Sequence, residues 1–591
     1  MTRRQFLGLV GAVAAVTGLP DAAVAKALTG ANRNALAARE LTTLAETLAA
    51  GPEGDLGYRP VITGPGERHA VRTELAKPAD GRERRRTTLV NFVHLTDQHI
   101  IDIESPSRVE FLDRYNDGQC AGMPFSAAYR AHDAASARIT DAMLKRLRAI
   151  KYSPVTGRPI QAMISTGDNT DNQQFNELSL FIGLMDGVKV TPKSGDPKVY
   201  EGVQASGDLN YWHPDGAVAD IYKTKFGFPA APGFIEKSLE PFGAVGTGVP
   251  WYTCYGNHDG LAQGNAPANP GFNRIGIGGT KVVGAPSGAN PCSEFAGPAA
   301  TGPSRAITAD ENRRYVSRAE WIQAHLESPG LPKGHGLTRS NLDETTLYYT
   351  TDVGKTRWIV LDTVNPGGYS DGSIGDRQLG WLRERLDEAQ KQRKLVMIFS
   401  HHGPRSLENP AQNPDPLNPD STDLPRHQVD TILEAVNAYS CVIAWVNGHS
   451  HSNVVVPRGT WWDIGTAAHI DWPPQSRMVE VVDNRDGTLS IIATIVDHED
   501  NSIVSKAREL MANDPHAGFA HGTGEETDRN VELVLPHPFA GSGDDGAALR
   551  YGKVAIPASG IPTGLTIGGA LAVVGGRKLI DLRERGLRLS D

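Results

Sequence analysis

A set of carboxylates, imidazoles and one amide stands in this sequence wherever an apolar run gives way to a polar cluster. Asp97 and His99 follow the run Leu89–Leu95, and Asp168 follows Ile160–Ile164. Asn257, His258 and Asp259 close the stretch Val249–Asp259, VPWYTCYGNHD. His401 follows Leu395–Phe399, and His449 and His451 follow Cys441–Val446. Hard oxygen ligands and imidazoles with no thiolate among them suit Mn, Fe or Zn ions, not a structural zinc held by cysteines. A single carboxylate such as Asp168 can bridge two cations and offset part of their repulsion. Within GNHD, Asn257 offers a neutral oxygen, His258 an imidazole, and Asp259 a carboxylate to orient that imidazole. Taken singly, each has an ordinary reading: a histidine near a strand end is more often structural, and an Asp after Gly more often forms a turn. Five blocks in the same relation to an apolar run point instead to one shared site.

The elements that must position these residues are buried parallel strands, apolar at both parities and opening into loops at their carboxyl ends. On an extended backbone, Asp97-x-His99 and His449-x-His451 would each present both side chains to one side. Between the strands, Ala127–Ile150 carries Ile139, Met143, Leu147 and Ile150 at helical spacing, and Asn176–Met185 is also helical. Ser317 with Glu320 forms a capping box that opens a helix through Leu326. Trp358–Leu361 is a strand, and Asp376 opens a helix with Leu379, Leu382, Leu386 and Ala389 on one face. Asp423 and Pro425 open another, carrying Val429, Ile432, Leu433 and Val436. Trp462–Thr466, Met478–Val482 and Leu489–Val496 read as antiparallel strands, the last two joined by a turn at Asn484–Gly487.

With 39% hydrophobic and 21% charged residues, the 591-residue chain is globular and not disordered. A net charge of -9 excludes the basic footprint of a nucleic-acid or anionic-membrane binder. The 64 Gly and 39 Pro predict long irregular loops, and four Cys are too few for a disulfide scaffold. Cys254 and Cys441 sit in strand-like runs as core residues, while Cys120 and Cys292 lie in loops, where a bridge between them in an oxidising compartment is the less favoured of two readings. Thr2–Leu7 (TRRQFL), an apolar core to Leu19 and Ala23-Val24-Ala25 read as an export signal of the twin-arginine type, removed after Ala25. The expected location is therefore periplasmic, cell-wall-associated or secreted, with the twin-arginine machinery as a partner. Lys26–Arg86, ending in the basic cluster Arg82–Arg86, reads as a solvated extension. Val554–Gly576 is an uncharged run read as a packed or peripheral tail, with weak membrane association as the alternative.

In order, D-x-H at Asp97/His99, G-D-x-x-D at Gly167–Asp171, G-N-H-D at Gly256–Asp259, a lone histidine at His401, and G-H-x-H at Gly448–His451 resemble the calcineurin-like metallophosphoesterases. The segment Trp358–Trp381, with LDT and QLGWL, is similar to that family's cyclic-nucleotide-phosphodiesterase-like branch. The resemblance covers roughly residues 89 to 496 and implies a four-layer α/β/β/α sandwich with long loop insertions around a two-metal centre. The implied division is a signal at 1–25, an extension at 26–88, a catalytic domain at 89–500 with insertions at about 187–248 and 260–345, and a C-terminal extension at 501–591. By the same resemblance, Asp97, His99 and His451 hold one divalent ion, Asn257, His401 and His449 the other, and Asp168 bridges them. His401 is taken over His402 because the family spaces its ligand about one residue from a proline. His258, paired with Asp259, would stabilise the transition state or act as general acid. Two cations would activate a water between them and clamp the phosphoryl oxygens for in-line attack. Asp171 stands where the purple acid phosphatase branch has tyrosine, which argues against an iron–tyrosinate centre. His213, His335 and His469 are read as structural. The expected activity is phosphodiester hydrolysis, with a phosphomonoesterase or nucleotidase, and a non-catalytic envelope binding protein, as the alternatives.

Overall fold

Short runs that are apolar at both parities specify strands covered on both faces, and this chain folds them into two facing sheets. The computed structural model describes residues 30–540 apart from 113–128, 289–301, 418, 420, 421 and 517. The first sheet opens with β1 (Ala70–Arg72), β2 (Thr87–Leu95), β3 (Ala162–Ser165) and β4 (Trp251–Thr253). The second holds β5 (Tyr349–Val353), β6 (Thr356–Val360), β7 (Leu395–Phe399), β8 (Val442–Asn447), β9 (Val454–Arg458) and β10 (Trp461–Gly465). The chain then returns to the first sheet with β11 (Gln475–Asp483), β12 (Thr488–Asp497) and β13 (Val531–Pro536). Strand order is β1-β13-β12-β11-β2-β3-β4 in the seven-stranded sheet and β5-β6-β7-β8-β10-β9 in the six-stranded one. Strands β2, β3 and β4 run parallel, as do β6, β7, β8 and β10, so their carboxyl ends gather along one edge of each sheet.

Alternation along β2 assigns its faces. Phe92 points to the second sheet, with its ring 4.9 Å from Trp358 and 5.7 Å from Phe399. On β4 the neighbouring residues divide in the same way. Tyr252 meets Trp358 across the sheets at 5.4 Å, whereas Trp251 meets Phe181 of the outer helix α2 at 5.8 Å. Helices α1 (Ser136–Ile150) and α2 (Phe175–Asp186) thus cover the seven-stranded sheet. After α3 (Arg318–Glu327), helices α4 (Asp376–Lys391) and α5 (Val429–Asn437) cover the other sheet. They bury Leu379, Leu382, Leu386, Ile432 and Val436 against Ile359, Val396, Ile398 and Trp445. The result is a four-layer α/β/β/α sandwich. Phe92, wholly buried between the sheets, contributes about 3–5 kcal/mol by its loss on truncation to alanine.

Several expectations are corrected. The extension before residue 89 is part of the sandwich: β1 pairs in parallel with β13 at its edge. Of the basic cluster, Glu83–Arg85 are exposed as expected, but Arg82 and Arg86 both donate to Glu532 Oε1, at 2.9 and 3.0 Å. The domain does not end at residue 500, since β13 pairs with β12 and α6 (Ser502–Ala512) packs against the insertion. That insertion is ordered: Trp212, Tyr222 and Phe234 share a core with Ile101, Tyr129, Trp472 and Leu510. Asp423 does not open α5 but accepts from the Arg377 and Gln378 amides at the start of α4. β10 is parallel to β8 and antiparallel only to β9. The capping box of α3 forms as expected. The export signal, Cys120, Cys292 and Val554–Gly576 lie outside the described residues. Among the described residues, no helix is long and apolar enough to cross a membrane.

Candidate metal centre

Each ligand candidate occupies the loop past the carboxyl end of a parallel strand: Asp97 and His99 after β2, Asp168 after β3, Asn257 after β4, His401 after β7, and His449 and His451 after β8. The extended backbone expected for the two x-spaced pairs is not what the chain adopts. Asp97 (φ 52°), His99 (42°), Asp168 (50°), His449 (65°) and His451 (51°) are all left-handed. Each such residue costs of order 1–3 kcal/mol, and persists only where its surroundings over-determine it. Here crossing loops do so: the Asp97 amide donates to Gly167 O (3.1 Å), His99 to Asp168 O (2.9 Å) and Gly448 to His401 O (3.0 Å). The loops cross so closely that a Cβ on Gly256 would overlap the Asp168 amide, and one on Gly448 would overlap Thr96 Oγ1.

This packing anchors one oxygen of each carboxylate and leaves the other for a cation. Asp97 Oδ2 accepts from Thr96 Oγ1 (2.6 Å) and the His449 amide (3.0 Å), while Asp97 Oδ1 is buried without a hydrogen-bond partner. Asp168 Oδ1 accepts from the His258 amide (2.8 Å). His99 donates through Nδ1 to Asp171 Oδ1 (3.0 Å), and its buried Nε2 is likewise without a partner. Those inward atoms converge: His99 Nε2 lies 3.9 Å from Asp97 Oδ1 and 3.6 Å from Asp168 Oδ2, and His451 Nε2 lies 3.1 Å from Asp97 Oδ1. Asp97 Oδ1 and His99 Nε2 are orphaned and buried, with Asp168 Oδ2 and His451 Nε2 beside them, and the four fit a cation, since unpaired polar atoms in such a place are costly.

A second convergence shares Asp168 with the first. His401 Nε2 is 3.1 Å from Asp168 Oδ2 and 2.9 Å from Asn257 Oδ1. The rings of His401 and His449 stand 5.1 Å apart. His401, His402 and His449 stand close enough together to hold an ion. His401 Nε2 faces the Asp168 and Asn257 oxygens, whereas the His402 ring bonds Thr363 Oγ1 (2.9 Å) and Ser370 O (2.7 Å), which favours His401. Burial opposes charge on His401, but Asp168 beside it lifts the imidazole to about 9. Burial, with His402 and His401 adding, holds His449 well below the usual imidazole range. Asp97, His99, Asp168 and His451 form one group able to hold a cation and His401, His402 and His449 another, with Asp168 Oδ2 3.6 Å from His99 Nε2 and 3.1 Å from His401 Nε2.

His258 and Asp259 lie at the site but are not paired as the sequence suggested. Asp259 instead accepts from the amides of Gly256 (2.9 Å) and Thr170 (3.0 Å) and from Asn169 Nδ2 (3.0 Å), fixing the loop that carries Asp168. His258 Nδ1 donates to Asp171 O (2.6 Å), which sets the tautomer that leaves Nε2 as the outward nitrogen. Its ring stands 4.4 Å from that of His99 and remains 21% exposed, the accessibility a group acting on a ligand needs. Burial pushes this imidazole down to about 4, against the pull of Asp168. His213, His335 and His469 are structural as expected, bonded to Asp208 O, Ser328 Oγ and Ser476 Oγ.

No family model matches the chain, and no curated protein matches it. Three solved structures are distantly similar. A dimetal phosphatase from Danio rerio is 12% identical over 70% of this chain and 100% of its own, with a TM-score of 0.33. GAP50, the anchor in the inner membrane complex of Plasmodium, is 9% identical over 74% of this chain and 98% of its own, with a TM-score of 0.21. A putative 5'-nucleotidase from Staphylococcus aureus is 15% identical over 28% of this chain and 33% of its own, with a TM-score of 0.18. Likenesses this remote lend the site no chemistry. Its own geometry has to supply it.

Three further residues belong to the site and were not assigned from sequence. Asp171, read only as a motif letter, is the carboxylate behind His99, and Asp471 is the one behind His451. Asp371 places Oδ1 3.9 Å from His449 Nε2 at the site's rim. The Asp171 bond was in principle legible, because GDxxD brings the second carboxylate back beside the first. Nothing local marks Asp471 or Asp371.

Proposed function

We propose that the protein is a metal-dependent phosphoric ester hydrolase with two divalent cations, acting on phosphodiesters. The observation that supports the reading is the shared carboxylate: Asp168 Oδ2 faces His99 Nε2 on one side and His401 Nε2 on the other, at 3.6 and 3.1 Å. Two cations held this way supply Lewis acidity, a water made nucleophilic near neutral pH, and a template for the phosphoryl oxygens. The protein's own groups do the rest. Asp97 and Asp168 each offer one oxygen inward while the other is tied to backbone or hydroxyl donors, so the ligands need little rearrangement. His258, held by its Nδ1 bond to Asp171 O, turns Nε2 toward a bound phosphoryl group or leaving oxygen. Asp259 keeps the Asp168 loop in place. Diester preference rests on the likeness of Trp358–Trp381 to the phosphodiesterase-like branch, and export rests on the Thr2–Leu7 motif.

The test is hydrolysis of bis-p-nitrophenyl phosphate against p-nitrophenyl phosphate, on mature protein treated with chelator and reloaded with Mn²⁺. The proposal expects metal-dependent turnover, faster on the diester. Faster monoester cleavage would replace the diester reading with the phosphatase one. No cleavage of either after reloading with Mn²⁺, Fe²⁺ or Zn²⁺ would overturn the hydrolase reading.

A further inference from the structure

Behind the centre, the two imidazoles on the Asp97 side are tied to each other. His99 Nδ1 donates to Asp171 Oδ1 (3.0 Å), and His451 Nδ1 donates to Asp471 Oδ2. Arg108 bonds Asp171 Oδ2 through Nη1 (2.6 Å) and Asp133 Oδ2 through Nη2 (2.8 Å). The same Asp133 oxygen accepts the backbone N–H of Arg130 (3.1 Å), whose Nε donates to Asp471 Oδ1 (2.7 Å). His99, Asp171, Arg108, Asp133, Arg130, Asp471 and His451 therefore form one arch, and every member is buried. Asp133 is fixed in turn by the helical turn Asp133–Ala135 that runs into α1.

The other position is built differently. His401 Nδ1 donates to the neutral carbonyl of Thr166 (2.9 Å), and Asn257 Nδ2 donates to Gly264 O (3.0 Å). Two physical effects follow. A carboxylate on the far nitrogen raises an imidazole's basicity as a ligand and fixes its orientation. The Asp97 side also presents two wholly buried carboxylates, Asp97 and Asp168, where the other side has its share of Asp168 and only the rim carboxylate Asp371, 3.9 Å from His449 Nε2. Asp171 and Asp471, both buried, stay ionised and in place only if compensated, and the guanidinium groups of Arg108 and Arg130 respectively provide that compensation.

Resting on the binuclear reading above, we infer that Arg108, Asp133 and Arg130 are positioning residues that make the Asp97-side position the tighter of the two, the first to load and the last to empty. They touch no ligand cation. They act through Asp171 and Asp471.

The experiment is a calorimetric titration of chelator-treated full-length protein with Mn²⁺, for wild type and Asp133→Asn, with thermal unfolding in excess chelator alongside. Wild type is expected to bind two equivalents in resolved steps. Asp133→Asn is expected to weaken the tighter step by ~10–100-fold, the range met when partners of ligating imidazoles are changed. The weaker step and the unfolding temperature in chelator should stay close to wild type. Two equal steps in wild type, equal weakening of both steps in the variant, or no change would each overturn the inference. If Asp133→Asn yields no folded protein, Arg130→Gln, which releases Asp471 alone, carries the same expectation and the same refutations. Wild type that binds none of Mn²⁺, Fe²⁺ or Zn²⁺ would remove the hydrolase reading itself, an outcome distinct from these.

Discussion

His258 and Asp168 are neighbours through a single backbone bond yet should fail differently when changed. His258 makes no contact that holds a cation in place, so His258→Ala is expected to keep its metal content while turnover falls about 10²–10⁴-fold, the usual weight of a positioned acid or base. Metal analysis beside the kinetics checks this, and unchanged turnover would remove the assigned role. Asp168→Asn removes the charge between the two convergences, and is expected to lose metal together with activity; full occupancy in that variant would contradict the bridge. At this scale the ligand candidates were visible in the sequence because every one of them ends an apolar run. The sequence was uninformative about their partners. The bond from His451 to Asp471 depends on where the loop after β10 turns, and the Asp259 carboxylate found the Asn169 and Thr170 amides instead of the imidazole beside it. Left-handed backbone at five non-glycine ligands left no mark either, because residue type favours it only weakly there.

At the scale of elements, the strands before the ligand candidates were legible because each gives way to a polar cluster, even β4 with three residues, whereas β1, also of three residues, carries no such mark. Its membership of the sheet is set by β13, hundreds of residues later, and that dependence makes a prediction. Chain ending at residue 500 lacks β13, exposing the edge of β12 with Ile491 and Ala493 and stranding Arg82 and Arg86 without Glu532. Such a truncation is expected to be insoluble or to unfold at far lower urea than chain ending at residue 540. Comparable midpoints for the two would show that β13 is dispensable. The capping box at Ser317 and the apolar face of α4 were read correctly because both are set by residues within a turn or two of each other.

For the molecule as a whole, buried histidines away from the centre contribute to the response to acid. His335 lies flat on Trp251 at 3.3 Å, and His325 packs on Trp321 at 3.8 Å. Burial, with His335 adding its charge for His325, pushes both imidazoles from 6.5 down to about 3. Folding keeps them neutral, so the unfolded chain binds more protons between those values and stability must fall as pH drops through 6.5 toward 3. Urea midpoints should therefore decline below that pH, and His325→Leu with His335→Phe should flatten the decline; an unaltered slope would assign the acid response elsewhere. The strand order has a further consequence, one that concerns time. The central strand β2 must wait beside β3 for its other neighbour, β11, from residue 95 to residue 475. At about 5–20 residues per second, a ribosome needs roughly 20–80 s to make that stretch. Throughout it the edge of β2 that β11 will pair lacks its partner, although Trp358 and Phe399 are made earlier to cover Phe92, and the ligand candidates after β2 and β8 can first meet only once residue 451 is made.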